Sequence, residues 1–224
     1  MTNFKSIVIF IGTAVLVVSF VLAFKLRKKK GLPPYFKFFY WIPLAAILLS
    51  INTISSLYFK KFPNFVYYCF QHLFFLVDFS LTCLFFQTIF GRKNKLAAIV
   101  FFITITSFGL LLWVNDLNRV LLELHALLCF AIFILCMYYY YKLFDDDEKP
   151  IVNLLESPPF WIVTGLFFSA VVGFPLYALY PYLYYKVDYK ISSYAISFAN
   201  IFIIIKHLFF IKAYRCAAKS DVEG

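Results

Sequence analysis

The stretch from Asn64 to Phe90, NFVYYCFQHLFFLVDFSLTCLFFQTIF, is long and apolar enough to cross a hydrocarbon core of roughly 30 Å as one helix with some tilt. Asp78 lies near its middle, 14 residues from Asn64 and 12 from Phe90. At about 1.5 Å per helical residue, its carboxyl group is about 20 Å from either end. A carboxylate at that depth costs about 2.5–3.5 kcal/mol on insertion scales, so it is expected to face the protein interior and to have a polar partner. A chain holding this stretch is constrained to a helical bundle with a polar interior.

The remaining sequence repeats the pattern. Hydrophobic residues make up 63% of the chain and charged residues 14%, too little polar surface for a water-soluble domain of this size. The apolar residues come in long blocks, the mark of membrane spans. The predicted spans are 7–24, 38–59, 64–90, 96–114, 120–143, 160–185 and 191–211. They give an all-α integral membrane protein, one seven-helix transmembrane domain over residues 1–224. The first span is expected to be retained, because its positive charges, Lys25 to Lys30, follow the apolar run and no small-residue cleavage site precedes them. Pro43 falls in the first turns of the second span, where it is tolerated. Gly173-Phe174-Pro175 and Pro181 predict a kink or break in the sixth.

The net charge of +10 does not point to nucleic acid, because the basic residues form short clusters between apolar blocks. With the N-terminus outside, 15 of the 21 Lys and Arg residues fall on the cytoplasmic side and 6 outside, which predicts N-out/C-in. The five cysteines form no CxxC pair, and four lie inside apolar segments, so neither a disulfide nor a metal site is expected. The acidic run Asp145 to Glu148 lacks the alternating spacing and turn glycine of a calcium loop and reads as a solvated connection. No cofactor is implied, and no nucleophile elbow, HExxH or glycine-rich phosphate loop suggests an enzyme.

Polar residues within the spans are the candidate ligand-binding set. Gln71, Asp78 and Thr82 share one helical face, and His72 lies about 120° from Asp78. Ser193, Ser197, Asn200 and His207 share a face of the seventh span. Asn52, Ser55 and Ser56 lie in the second, Glu123 and His125 in the fifth. Most of these fall in the outer half, whereas the inner half is richer in Phe, Leu and Ile. This asymmetry predicts a cavity open to the outside with Asp78 and Asn200 near its floor, lined by Gln71, His72, Asn52, Ser197, Glu123 and His125. Serine and threonine in membrane helices mostly pack or back-bond their own helix, so they rank below the ionisable groups as ligands. With the seventh span ending near Ile211, Lys206 reads as an inner-interface residue that snorkels to the cytoplasmic side. Asp78 is then expected to be protonated or hydrogen-bonded to neutral groups such as Asn200, Asn52 or Gln71. On that reading Asp78→Asn preserves the fold.

Seven helices with an acid in the third and a lysine in the seventh invite comparison with retinal proteins. The match fails, since the aspartate expected four residues before the lysine is Phe202. The stretch NFVYYCFQHLFFLVDF at Asn64 to Phe79 and the stretch SPPFWI at Ser157 to Ile162 are closer to another pattern. They resemble a family of small seven-helix membrane proteins of Bacteroidetes-type bacteria, with Asp78-Phe79 where the family has Glu-Phe and Ser157 where it has Asp. The genes of that family often accompany sensor kinases. The resemblance implies a bacterial inner-membrane protein with a sensory or accessory role. The predicted partners are the lipid bilayer and a sensor kinase, met by the connection from Phe144 to Pro159 and the tail from Lys212. The first reading of function is therefore a receptor-like or accessory sensor with an outward-opening polar cavity. The alternative is a small-solute or proton-coupled transporter built from two three-helix repeats, suggested by Pro43 and Pro175 in comparable helices.

Overall fold

The computed structural model describes residues 2–29, 31–59, 64–91, 93–114, 122–145, 154–187 and 189–219, and among these there is no β-strand. Seven long helices follow one another: α1 Thr2–Leu26, α2 Trp41–Phe59, α3 Asn64–Phe90, α4 Leu96–Val114, α5 Leu122–Asp145, α6 Pro158–Tyr182 and α7 Tyr189–Lys219. Each packs on the next, α3 also meets α5, and α7 returns to α1 to close the bundle. Among the described residues, six helical segments are long and apolar enough to cross a membrane: Ile7–Leu26, Pro34–Ile51, Cys69–Phe90, Leu96–Val114, Leu122–Asp145 and Pro158–Val187. The architecture is compatible with a helical membrane protein. In α7, which is not among the six, Lys206, His207 and Lys212 interrupt the apolar sequence.

Local sequence explains where the helices stop. Gly91 follows α3 with φ +80°, a left-handed residue that ends a helix at little steric cost only when it lacks a Cβ. Asn94 then caps α4, its side-chain oxygen accepting from the Leu96 N–H at 2.9 Å while its amide donates to the Tyr138 hydroxyl at 2.7 Å. Pro43 is the third residue of α2, where no earlier turn is broken. Of the kink or break expected in the sixth helix, there is no break: α6 runs through Pro175 and Pro181 and passes into a π-helical turn, Leu183–Val187. α6 packs on both α5 and α7, and neighbouring helices make proline tolerable inside such a helix.

At one end, here the basic end, the helices are tied together by polar contacts. Lys29 Nζ donates to the Ala218 carbonyl at 2.9 Å, and Trp161 Nε1 donates to the Leu155 carbonyl at 2.8 Å. The Arg27 guanidinium lies 3.9 Å from the Phe24 ring centroid. Just inside this end is a plug of fully buried aromatic residues: Tyr35, Phe36, Phe39, Phe85, Phe86, Phe210 and Tyr214. Their rings meet edge-on or tilted, with Phe39 5.3 Å from Phe85 and 5.1 Å from Phe210, and Tyr35 5.1 Å from Phe85. Such pairs contribute about 0.5–1.5 kcal/mol each beyond area burial, which matters where lipid removes the hydrophobic drive for helix association.

The close approach of α6 to α7 depends on Gly165. A Cβ there would lie 2.9 Å from the Lys206 carbonyl oxygen and 2.9 Å from Phe209 Cβ. Only hydrogen fits, and the backbone of α7 at Lys206 is held where that glycine lets it sit.

Candidate functional site

Two residues of opposite charge arrive at one depth. Asp78 is 12 residues before the end of α3 at Phe90, and Lys206 is 13 residues before the end of α7 at Lys219. At about 1.5 Å per residue both lie roughly 20 Å in from the basic end. Lys206 Nζ donates to Asp78 Oδ2 at 3.2 Å, with 9% of the lysine side chain and 25% of the aspartate side chain exposed. This corrects the sequence reading on two points. Lys206 does not snorkel to the basic end, and among the described residues the partner of Asp78 is a cation, not Asn200 or Gln71. The cause is the length of α7, which continues eight residues beyond Ile211 (219 − 211) and so carries Lys206 to mid-bundle.

The neighbouring residue faces elsewhere. His207, about 100° around the helix, is fully buried, with Nδ1 3.4 Å from Ser19 Oγ on α1. α7 therefore presents its cation to α3 and its imidazole to α1. On α3 the Thr82 hydroxyl donates to the Asp78 backbone carbonyl at 2.8 Å, a back-bond within the helix rather than a ligand position.

The ion pair forms part of the wall of two small cavities. One, of about 60 Å³, lies between α3, α5, α6 and α7 and is bordered by Asp78, Lys206, His125, Cys129, Ser169 and Tyr177 among others. A water needs about 10–15 Å³ of such space, so there is room for about four. The other, of about 50 Å³, lies on the α2 side, against Ala45, Ala46, Leu49 and Phe74. A third space of about 150 Å³ opens between α1, α2 and α7 and holds Asn200. Its two hydroxyls are committed to their own helices, Thr13 to the Ile9 carbonyl and Ser50 to the Ala46 carbonyl. Ile203 borders all three spaces.

His125 is the most telling lining group. It is 1% exposed, and neither ring nitrogen has a hydrogen-bond partner among the described residues. Its ring lies tilted against Phe75 at 3.8 Å between centroids and 5.7 Å from both His72 and Tyr177. A buried imidazole usually finds partners, and one left without them beside a cavity that also holds charged and hydroxyl groups is suited to a small molecule that both donates and accepts.

The predicted residues are thus divided. Asp78 and His125 share a cavity, with His72 behind His125 and against Phe108. Gln71 keeps its side-chain oxygen buried without a partner among the described residues. Asn200 belongs to the separate, mainly apolar groove, Ser197 is buried, and Glu123 is exposed. The side chains of Asn52, Ser55, Ser56 and Ser193 lie outside the described residues. Among the described residues, the predicted lining is divided between separate small spaces, and the outer-half residues Asn52, Ser55, Ser56 and Ser193 take no part in this comparison.

Sequence reasoning missed Lys206, Ser169, Tyr177, Cys129 and Ile203. For Lys206 a signal existed in IFIIIKHLFFI, where a lysine-histidine pair interrupts a continuous apolar run. The others look like ordinary packing residues. Among the described residues no three His, Cys, Asp or Glu side chains converge as metal ligands, and all five cysteines are free thiols. No family model matches the sequence, and neither a curated protein nor a solved structure matches the chain.

Proposed function

We propose that the protein is a receptor-like or accessory sensor of the membrane, with seven spanning helices in an N-out/C-in arrangement, in which the Asp78–Lys206 pair is the switching element. The observation that carries this reading is the ion pair itself, set against a small cavity beside His125, whose ring nitrogens have no partner among the described residues. Paired, the two charges balance; a small polar molecule among His125, Ser169 and Tyr177 competes for the free oxygen of Asp78 and the remaining donors of Lys206. Ion pairs inside membranes are costly, and they mark functional positions. α7 is continuous from Lys206 to Cys216, so a change at the pair is carried along one rigid element to the basic end. There Cys216 Sγ donates to the Leu155 carbonyl at 3.6 Å, next to the connection proposed to meet a sensor kinase. Residues 146–153 of that connection lie outside the described residues. The resemblance to a family whose genes accompany sensor kinases supports the same reading. The small size of the cavities and the aromatic plug speak against a solute pathway.

The orientation is tested directly. A reporter fused after Gly224 is expected in the cytoplasm and one inserted near Asn118 outside. Finding both on one side removes an odd number of spans between them.

The switch is tested by thiol labelling in nanodiscs. Neutralising the pair in Asp78→Asn/Lys206→Met is expected to change the labelling rate of Cys216 several-fold, with the helical content unchanged. Wild-type proteoliposomes are expected to accumulate no amino acid, carboxylate or sugar above empty vesicles under an imposed proton gradient. Uptake in that assay, with Cys216 labelling indifferent to the pair, would replace the sensor by a transporter.

A further inference from the structure

A fourth space lies on another face of α7 from the ion pair, on the outer surface of the α1–α7 seam. It is a groove of about 450 Å³ whose walls include Val15 and Val18 of α1 and Leu208, Ile211, Lys212 and Arg215 of α7. Its chemistry is graded along the helix axis. From Leu208 to Arg215, α7 advances seven residues (215 − 208) toward the basic end, about 10 Å at 1.5 Å per residue. The apolar residues lie deeper in the bundle and the two cations lie toward its basic end.

The walls are open on the outside, Val18 being 48% and Leu208 49% exposed. The seam itself is closed beneath them, where Gly12 brings α1 onto Ile204 and Ser19 meets His207. Lys212 lies 5.6 Å from the Trp161 ring centroid, an aromatic–cation pair of the kind found at headgroup depth. No acidic side chain lines the groove among the described residues. Its two cations, three residues apart on one face of α7, are left to bind an anion from outside the chain.

We propose that this groove holds an anionic phospholipid, with one acyl chain against Val15, Val18, Leu208 and Ile211 and the phosphate between Lys212 and Arg215. An acyl chain alone explains the apolar walls but not the paired cations at one end. A free phosphate explains the cations but not the apolar length. A basic site between helices at the charged end of a bundle has the features of a lipid headgroup site. The proposal is independent of the sensor reading, because it uses neither the ion pair nor the cavity of His125.

The test is native mass spectrometry of the full chain from nanodiscs containing equal phosphatidylglycerol and phosphatidylcholine. Wild type is expected to retain phosphatidylglycerol over phosphatidylcholine, with inorganic phosphate failing to displace it. Lys212→Gln/Arg215→Gln should lose that preference about tenfold, and Ala14→Trp, which fills an exposed part of the groove, should release both lipids. Lys142→Gln, a cation at the same end on α5, should leave retention unchanged. Equal loss from Lys142→Gln, or undiminished preference in the double variant, overturns the site in favour of general attraction to a basic surface. Retention unaffected by Ala14→Trp also overturns it.

Discussion

Asp78→Asn is expected to destabilise the protein in detergent by about 3 kcal/mol, and Lys206→Met by somewhat less, whereas the double variant Asp78→Asn/Lys206→Met returns to within about 1 kcal/mol of wild type. The order follows from burial. Asp78→Asn leaves a lysine whose side chain is 9% exposed without its counter-charge, while Lys206→Met leaves an aspartate that is 25% exposed. Breaking a buried pair costs about 3–5 kcal/mol because the surviving charge stays desolvated, and the partial exposure here places the effect at the low end. Removing both charges removes both desolvation costs. The double-mutant cycle, read by thermal unfolding, isolates a coupling that single substitutions cannot. If either single variant unfolds at the wild-type temperature, the pair makes no net contribution to the folded state.

That outcome separates the structure from the sequence reading, under which Asp78→Asn keeps the fold. The bundle, its helix order and most helix limits were legible, since long apolar blocks divided by turn residues permit little else. α3 and α4 begin and end at the expected residues, Asn64–Phe90 and Leu96–Val114. The prominence of Asp78 was legible too, because depth alone makes a carboxyl unusual. Its partner was not. The choice between a snorkelling and an inward Lys206 depended on where α7 ends, and the basic sequence after Ile211 looks like a terminus while it continues as helix to Lys219. The separation of Asn200 from Asp78 was equally hidden. Periodicity gives the face of one helix but not the neighbour that this face meets, and Asn200 meets α1 and α2.

Gly165→Leu is expected to abolish the native packing of α6 on α7, and Gly165→Ala to cost about 1–3 kcal/mol, the usual range for overpacking. The atoms in the way are the Lys206 carbonyl oxygen and Phe209 Cβ, each 2.9 Å from the new Cβ, and neither is the far end of a flexible side chain. α7 must move away, taking Lys206 with it, so Gly165→Ala should also weaken the coupling measured in the double-mutant cycle. Gly109 in α4 is the control, because a methyl group added there would meet nothing within 4 Å. Gly109→Ala should stabilise by about 0.5–1 kcal/mol through backbone entropy alone. Thermal unfolding of both variants decides the matter: equal behaviour at the two glycines would falsify the close contact.

Ile203 sets a thermodynamic relation between neighbouring spaces. Its one side chain borders the groove of Asn200 and both cavities beside the ion pair. A side chain that gives way to a guest on one side takes volume from the other two. Any occupants of the groove and of the His125 cavity are therefore expected to be antagonists, each weakening the other by the same factor, as reciprocity requires. An apolar molecule reaching α1, α2 and α7 from the bilayer can in this way oppose a polar one seated at the charged pair without touching either charge.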